Sequence, residues 1–338
     1  MAVIALVLIV ISKPTTAHVS APMDYRGVVL VAAGVALSVF SFQQSLIWGW
    51  TNPAIGSSVA LGVVILVVFG LVEVRTASPL MKIGIFRIRA FLVENLVLGI
   101  AMLVFIPVFF FASEYAQIAL GDTASQAGVF LLFFFIGFVI AAQIGGRILD
   151  RSGAKRPVVV GCALAAVGFY LWAGHVTTLT FASQQWDIIV AGAGVGFMLG
   201  PASTDAVNRA SRLSYGEATG ITQTVRNYAA SLGLAVLGTI LVSQFRSRVT
   251  TSLVGLGLSR ARAAAEASAI SQSQGGSGSV GRIPHFLKLD FVYATRSVFY
   301  VMAGIMAVAA IVAFLGLQRG LQEEPADAAT DPAVETTT

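Results

Sequence analysis

Cysteine and histidine are scarce in this sequence of 338 residues. The one cysteine, Cys162, excludes a disulfide framework and a thiolate metal site. The three histidines stand far apart and have no metal-ligand spacing. The sequence also lacks a nucleophile–base pair, a carboxylate dyad and a phosphate-binding loop. We therefore expect no catalytic residues, no metal and no cofactor, and an enzymatic function has no support.

Charged residues are also few. They make up 11% of the chain and hydrophobic residues 57%, whereas about a quarter of the residues are charged in soluble domains. The mean hydropathy is +0.85, and apolar runs of bilayer-spanning length recur along the chain. This pattern predicts an all-α, polytopic membrane protein. The net charge of +5 then belongs to loops at a membrane surface, and nucleic acid is not an expected partner.

Eight apolar segments are long enough to cross the lipid bilayer as full transmembrane helices. A further run in residues 1–12 would cover about half of the hydrocarbon core, and we interpret it as a truncated, N-terminal partial helix. A signal peptide is the alternative, but no lysine or arginine precedes that run. The eight predicted spans are roughly 26–48, 54–74, 91–112, 126–145, 157–174, 187–207, 220–242 and 297–317.

Lysine and arginine are distributed unequally between the loops. Loops on one side of the predicted bundle carry twelve basic residues, whereas the short alternate loops, 49–53, 113–125 and 175–186, carry none. The positive-inside rule therefore places both chain ends in the cytoplasm of a multi-pass cell-membrane protein. Residues 243–296 form a long extracytoplasmic loop whose basic residues do not overturn this orientation, because long loops translocate regardless of charge.

A charged stretch containing two glycines lies between the spans 126–145 and 157–174. Gly146 and Gly153 permit a close turn, and Asp150 precedes the next span, where a carboxylate complements the positive end of a helix dipole. A generic basic loop would explain the charges but not the glycines and the aspartate at this spacing. The cations of the stretch are Arg147, Arg151, Lys155 and Arg156.

The stretch resembles the G-x-x-x-D-R-x-G-x-K/R-R gating loop of the major facilitator superfamily. Residues 86–91 and 220–233 are similar to parts of the C-terminal domain in its fourteen-span drug:proton antiporter branch. The resemblance covers residues 1–318, and the N-terminal domain of the family has no counterpart in the chain. It implies a linker with two extra central spans in 13–90 and a six-helix transporter domain of the major facilitator fold in 91–318. The acidic, alanine- and threonine-rich composition of the remaining residues predicts a disordered cytoplasmic tail in 319–338.

The resemblance implies a proton-coupled exporter of small amphipathic or cationic compounds. We expect the chain to be inactive alone, because alternating access needs two domains around a shared site. The alternative is a non-transporting half-bundle that acts as a scaffold or complements a separate N-terminal half. A homodimer is a further alternative, in which a second copy of the chain covers the helix face that the absent domain would otherwise contact.

One cation lies inside a predicted span. Arg226 is about two turns into the span 220–242, and Gln223 and Asn227 share its helix face. We predict that these residues, together with Glu94 near the start of the span 91–112, line a cavity for substrate and coupling ions. The alternatives are a structural hydrogen bond for Arg226 and a dipole-complementing role for Glu94.

Small residues repeat along another span. Gly192, Gly196 and Gly200 recur every four residues and predict a stripe for close helix packing. Direct contact between the stripe and a substrate is the alternative. Pro201 follows the stripe and is predicted to kink the span.

Overall fold

The computed structural model describes residues 24–76, 83–208, 215–273, 284–318 and 320. Within these ranges the regular structure is helical, with nine α-helices, short 3-10 and π turns and no strand. Eight of these nine helices are long and apolar enough to cross a membrane. The prediction of an all-α polytopic protein with eight complete spans is confirmed. The predicted partial helix 1–12 and nearly all of the tail 319–338 lie outside the described residues.

The chain begins with a helical hairpin, which consists of α1 (Tyr25–Trp48) and α2 (Pro53–Arg75). A 3-10 turn at Ile83–Arg87 leads into the larger part of the protein. The remaining helices are α3 (Arg89–Tyr115), α4 (Ala124–Ser152), α5 (Lys155–His175), α6 (Phe181–Asn208), α7 (Tyr215–Gly255), α8 (Arg260–Ser273) and α9 (His285–Gly316).

Several helix starts follow from local capping chemistry. The Asp24 carboxylate accepts the backbone N–H of Gly27 at 3.0 Å at the start of α1, and Asn52 caps α2 through its side-chain oxygen. Thr123 and Gln126 form a reciprocal capping box at the start of α4. These side chains satisfy backbone donors that the first helical turn leaves free.

Helices α3 to α7 and α9 form the predicted six-helix bundle. Helix α6 lies between α4 and α5, and α9 packs against α3, α5 and α7. The indole of Trp172 in α5 and the ring of Phe299 in α9 are fully buried, with centroids 4.4 Å apart. We call the end of the bundle that contains Arg89, Lys155 and Gly316 the basic end.

A buried hydrogen-bond network joins three helices at the opposite end. The Trp172 indole N–H donates to the Gln184 side-chain oxygen at 3.1 Å. The Gln184 amide donates to the Tyr115 hydroxyl oxygen at 2.9 Å, and that hydroxyl donates to the backbone carbonyl of Val176 at 2.7 Å. The network fixes α3, α5 and α6 relative to one another.

The hairpin packs against α7. Phe42 of α1 meets Tyr228 of α7 edge to face, with ring centroids 5.4 Å apart. The indole N–H of Trp50, in the hairpin turn, donates to the Thr239 hydroxyl at 2.6 Å. The hairpin of the two predicted extra spans therefore contacts α7 at two positions along the axis of that helix.

The helices extend further than the predicted spans. Helix α4 continues to Ser152 and α9 begins at His285, so these helices extend beyond the predicted spans, which end near 145 and begin near 297. Helix α7 has 41 residues, or about 60 Å, twice the hydrocarbon thickness. A polar sequence ends a membrane span, but backbone hydrogen bonding continues the helix.

The predicted outer loop 243–296 is mostly helical where the structure describes it. The end of α7 packs against α8 and against the start of α9, and the buried side chains there belong to the hydrophobic core of the bundle. Its predicted glycine/serine linker falls mainly in 274–283, outside the described residues. The buried side chains of this core include Val249, Leu253, Ala263, Ala267 and Phe291.

Candidate substrate cavity

A cavity of about 1230 Å³ lies between the hairpin and the six-helix bundle. Helices α1 and α2 form one wall, and α3 and α7 form the other. The α3 wall runs from Leu92 to Leu103 and the α7 wall from Gly216 to Leu232, so the cavity occupies the half of the protein nearest the basic end. Most of its lining side chains are aliphatic or aromatic.

Glycine keeps part of this space open. A β-carbon added at Gly216 or Gly220 would meet no atom within 4 Å, whereas one at Gly99 would lie 3.4 Å from Val225. Helices α3 and α7 therefore approach closely at Gly99 and diverge from the hairpin around Gly220. The cavity results from this divergence.

Few polar groups line the cavity. Asn95 is buried, with 3% of its surface exposed; its amide N–H donates to the Phe91 carbonyl at 2.9 Å, and its side-chain oxygen has no hydrogen-bond partner among the described residues. The Thr224 hydroxyl donates to the Gly220 carbonyl at 2.8 Å. Glu217 is the one charged side chain among the described lining residues.

The residues predicted to line a cavity lie elsewhere. Gln223 and Asn227 are exposed and Arg226 is half-buried, with a buried Nε that has no hydrogen-bond partner among the described residues. Because successive helix residues turn by about 100°, Arg226 lies opposite the centre of the cavity wall of α7. Gln223 and Asn227 follow the lining residues Gly216 and Gly220 by seven positions and therefore lie at the edge of that wall. Glu94 is fully buried in α3. None of the four lines the described cavity.

The actual walls carry a signal in the sequence. On α3 the lining positions are 92, 95, 96, 99, 100 and 103, and on α7 they include 217, 220, 221, 224, 225, 228 and 232. This is the three-and-four spacing of one helix face. The stripe was recognisable, but a stripe that packs against another helix and one that faces an open space have the same spacing.

The predicted gating loop is shorter than expected. Helix α4 continues through Asp150 and Arg151, so only Gly153 and Ala154 separate it from α5. Asp150 is exposed in the last turn of α4, and the predicted position in front of α5 belongs to Ala154, whose side chain forms no cap hydrogen bond. Asp150 was expected to stand just before the next helix and to complement its dipole, but the structure places it inside the last turn of α4.

Gly153 and Lys155 make the specific contacts of this turn. Gly153 has φ +80°, a conformation that favours glycine, and a β-carbon there would collide with the Gly320 carbonyl. The Lys155 ammonium donates to the Leu317 carbonyl at 2.8 Å and so ties α5 to the end of α9. Arg156 is exposed, and a β-carbon at Gly146 would meet nothing within 4 Å.

The predicted glycine stripe shortens to two positions. A β-carbon at Gly192 would collide with the Phe134 carbonyl of α4, and one at Gly196 with the Phe138 carbonyl. Gly200 has nothing within 4 Å. Pro201 is buried, and α6 continues beyond it to Asn208.

The described residues thus form a bundle of membrane-length helices with a large apolar cavity between it and the hairpin. The sequence profile of the Major Facilitator Superfamily matches residues 1–234. The chain belongs to that family.

Relatives with assigned roles are similar over different shares of the chain. The cephamycin export protein of Amycolatopsis lactamdurans is 28% identical over 64% of this chain and 46% of its own length. The puromycin resistance protein of Streptomyces alboniger is 28% identical over 64% and 44%. A triacylglyceride transporter of Mycolicibacterium hassiacum is 27% identical over 97% of this chain and 63% of its own length. The chain thus spans about half the length of the cephamycin and puromycin proteins that it matches.

Proposed function

We propose that the chain forms the cavity-bearing part of a proton-coupled exporter of small amphipathic or cationic compounds, in the fourteen-span drug:proton antiporter branch. The cavity between the hairpin and the bundle is the observation that carries the proposal, because its apolar walls suit such compounds. Similarity to the cephamycin and puromycin proteins supports the substrate class. Both chain ends would lie in the cytoplasm of the cell membrane, so the basic end would face the cytoplasm.

Transport would require a second helical unit. Alternating access rocks two units about a shared site, and the structure describes one six-helix unit with a hairpin. The face of α7 that bears Gln223, Arg226 and Asn227 is partly exposed. An arginine at the bilayer centre costs about 2.5 kcal/mol or more, so this face suits contact with a second unit. A separate N-terminal half or a second copy of the chain would supply that unit.

The gating-loop residues would couple the units. Asp150 and Arg151 are exposed at the end of α4 and are free to contact a helix end of another unit. Lys155 links α5 to α9, so a movement of α4 at Gly153 would occur against a fixed pair of helices. Protons would be the coupling ion, with the buried carboxyl group of Glu94 as the candidate carrier on this chain.

Dye accumulation in efflux-deficient bacteria tests the function. We expect no export of a cationic dye from cells that make residues 1–338 alone, and export when a six-span N-terminal half of a related exporter is co-expressed. Arg226→Ala should abolish the complemented export, and Arg226→Lys should reduce it because an ammonium does not replace the guanidinium fork. Arg260→Ala is the matched control, because Arg260 is exposed at the start of α8. Export that is equal in Arg226→Ala and Arg260→Ala would refute the role of Arg226.

Lipid transport is a second candidate. The match to the triacylglyceride transporter covers 97% of this chain, against 64% for the cephamycin exporter. Vesicles that contain the complemented protein and a radiolabelled triacylglyceride decide between them. Saturable movement of the lipid without movement of the dye would replace the first proposal with the second.

A further inference from the structure

A second cavity, of about 510 Å³, lies at the basic end of the bundle, between the end of α4 and the start of α5. We call this cavity the basic groove. We propose that it binds an anionic phospholipid, whose phosphate contacts Arg151 and Arg156 and whose acyl chains lie along the apolar part of the groove. The site is separate from the cavity beside the hairpin, because the two have no lining residue in common.

Helix α6 forms the floor of the basic groove, and α4 and α5 form its two sides. Both sides rest directly on the backbone of α6. A β-carbon at Gly145 of α4 would collide with the Phe197 carbonyl, and one at Gly161 of α5 would lie 2.7 Å from the β-carbon of Met198. Phe197 itself lines the groove. The close contacts hold α4 and α5 on either side of Phe197, so the groove is part of the packing of the bundle.

Two guanidinium groups stand where the groove meets the turn between α4 and α5. Arg151 lies in the last turn of α4 and Arg156 in the first turn of α5, and both are exposed lining residues. Neither forms an ion pair among the described residues. Arginine binds phosphate oxygens in bidentate pairs. Ala154 gives the start of α5 no side-chain cap, and an uncapped helix start also favours a phosphate.

The rest of the groove lining is nearly all apolar. Ile148, Pro157 and Val160 line its sides. The one neutral polar residue of the lining is Ser152, whose hydroxyl already donates to the Ile148 carbonyl at 3.0 Å. Val160 lies four residues beyond Arg156, or about 6 Å along α5. Cations beside an apolar channel match the phosphate and the first part of the acyl chains of a phospholipid, whereas a free phosphate would use the cations alone.

The position of the groove also suits a lipid of negative charge. In the proposed orientation the basic end faces the cytoplasm, so the groove opens toward the cytoplasmic leaflet. Anionic lipids give that leaflet a negative surface potential, and basic pockets between membrane helices on that side bind anionic headgroups. Phosphatidylcholine would bring its own cation next to the two arginines and is therefore disfavoured. Asp150 does not line the groove and stays available to a second unit.

Native mass spectrometry of the purified full chain in detergent tests the site. Phosphatidylglycerol and phosphatidylcholine with identical acyl chains are titrated separately, and the lipid-bound fraction gives the affinity. We expect the unmodified chain to bind phosphatidylglycerol more tightly. The double variant Arg151→Gln/Arg156→Gln should weaken phosphatidylglycerol roughly 10- to 30-fold, because each basic residue beside an anionic lipid contributes a factor of about five. Its affinity for phosphatidylcholine should be unchanged.

The double variant Arg87→Gln/Arg89→Gln is the matched control. It removes the same charge from two exposed arginines at the basic end, and neither of them lines the groove. The control should keep the preference for phosphatidylglycerol. Equal losses in the two double variants would show that net charge alone attracts the lipid, and would overturn the site.

Two tryptophan variants of α5 test the contact with the acyl chains. Val160 and Val167 are 53% and 52% exposed, but only Val160 lines the groove. Val160→Trp should weaken phosphatidylglycerol at least about 4-fold, the effect of one methylene group that is no longer buried, and Val167→Trp should leave it unchanged. Equal binding by these two variants would refute the acyl-chain contact.

Glycerol 3-phosphate distinguishes a lipid from a free phosphate compound, because it has the phosphate without the acyl chains. We expect it not to displace phosphatidylglycerol from the unmodified chain at equal concentration. Displacement at equal concentration would assign the groove to a soluble phosphate compound and would overturn the lipid proposal. Lipid binding is measured without transport, so its failure would leave the proposed export function standing.

Discussion

Two consecutive helices of the bundle use glycine in opposite ways. In α6, β-carbons at Gly192 and Gly194 would collide with backbone atoms of α4 and α5 respectively, so the helix is held tightly on two sides. In the first turns of α7, β-carbons at Gly216 and Gly220 would meet nothing within 4 Å. The same residue permits backbone contact in one helix and leaves a cavity open in the other. Glycine content alone therefore does not distinguish a packing surface from a binding wall.

Polar side chains show the same contrast. Gln184 of α6 connects Trp172 to Tyr115, and each of these buried groups has a hydrogen-bond partner. Beside the open part of α7, the oxygen of the equally buried Asn95 has none among the described residues. The polar groups named on the tight side of the bundle are paired with one another, whereas the Asn95 oxygen on the open side is not paired among the described residues. The following predictions test this difference, beginning with the largest expected effect.

Gly192→Ala should be strongly destabilising. Its methyl group would collide with the Phe134 carbonyl, and α4 and α6 would have to separate along their contact. We expect the free energy of unfolding to fall by about 1–3 kcal/mol or more. The fall would lower the temperature at which the detergent-solubilised protein loses its monodisperse elution peak. Gly200→Ala, on the same helix with nothing within 4 Å, should be neutral or slightly stabilising. Equal losses in the two variants would contradict the tight contact at Gly192.

Gln184→Leu should have an intermediate effect. It removes the acceptor of the Trp172 N–H and a donor to the Tyr115 hydroxyl, and a buried group left without a partner costs about 1–3 kcal/mol. The same thermal assay measures the loss. Gln117→Leu is the control, because Gln117 is exposed and its amide donates to Ser113 of the preceding turn. An unchanged midpoint for Gln184→Leu would show that water replaces the lost partners.

The sequence predicted the number of spans more reliably than their ends. Apolar runs determine where a chain can cross a membrane, and all eight predicted runs are helical. In α4, α7 and α9 the helix extends beyond the predicted span, because helical hydrogen bonding continues into polar sequence such as 146–152. Local composition carries no information on this continuation.

The cavity was harder to predict than the fold. Arg226 drew attention because a charge inside an apolar span is conspicuous, yet it lies on the face of α7 away from the described cavity. Asn95 and Gly220 belong to ordinary apolar stripes. Whether these two residues line a cavity depends on where the hairpin packs. Contacts such as the one between Phe42 and Tyr228 determine that position. Because Phe42 and Tyr228 are far apart in the chain, a single sequence contains no pattern that links them.

The smallest expected effect comes from comparing two glycines of one helix, Gly220 and Gly233 of α7. Gly220→Ala should be neutral or should stabilise the protein by up to about 1 kcal/mol, because alanine is the better helix former and the methyl group enters open space. Gly233→Ala, further along α7, should be destabilising, because its methyl group would collide with the Leu103 carbonyl of α3. Both variants make the same change to the helix propensity of α7, so the difference between their melting temperatures isolates packing. A loss in Gly220→Ala as large as that in Gly233→Ala would mean that the hairpin closes on α7 in the folded protein. The space between the two walls would then not be available to a ligand.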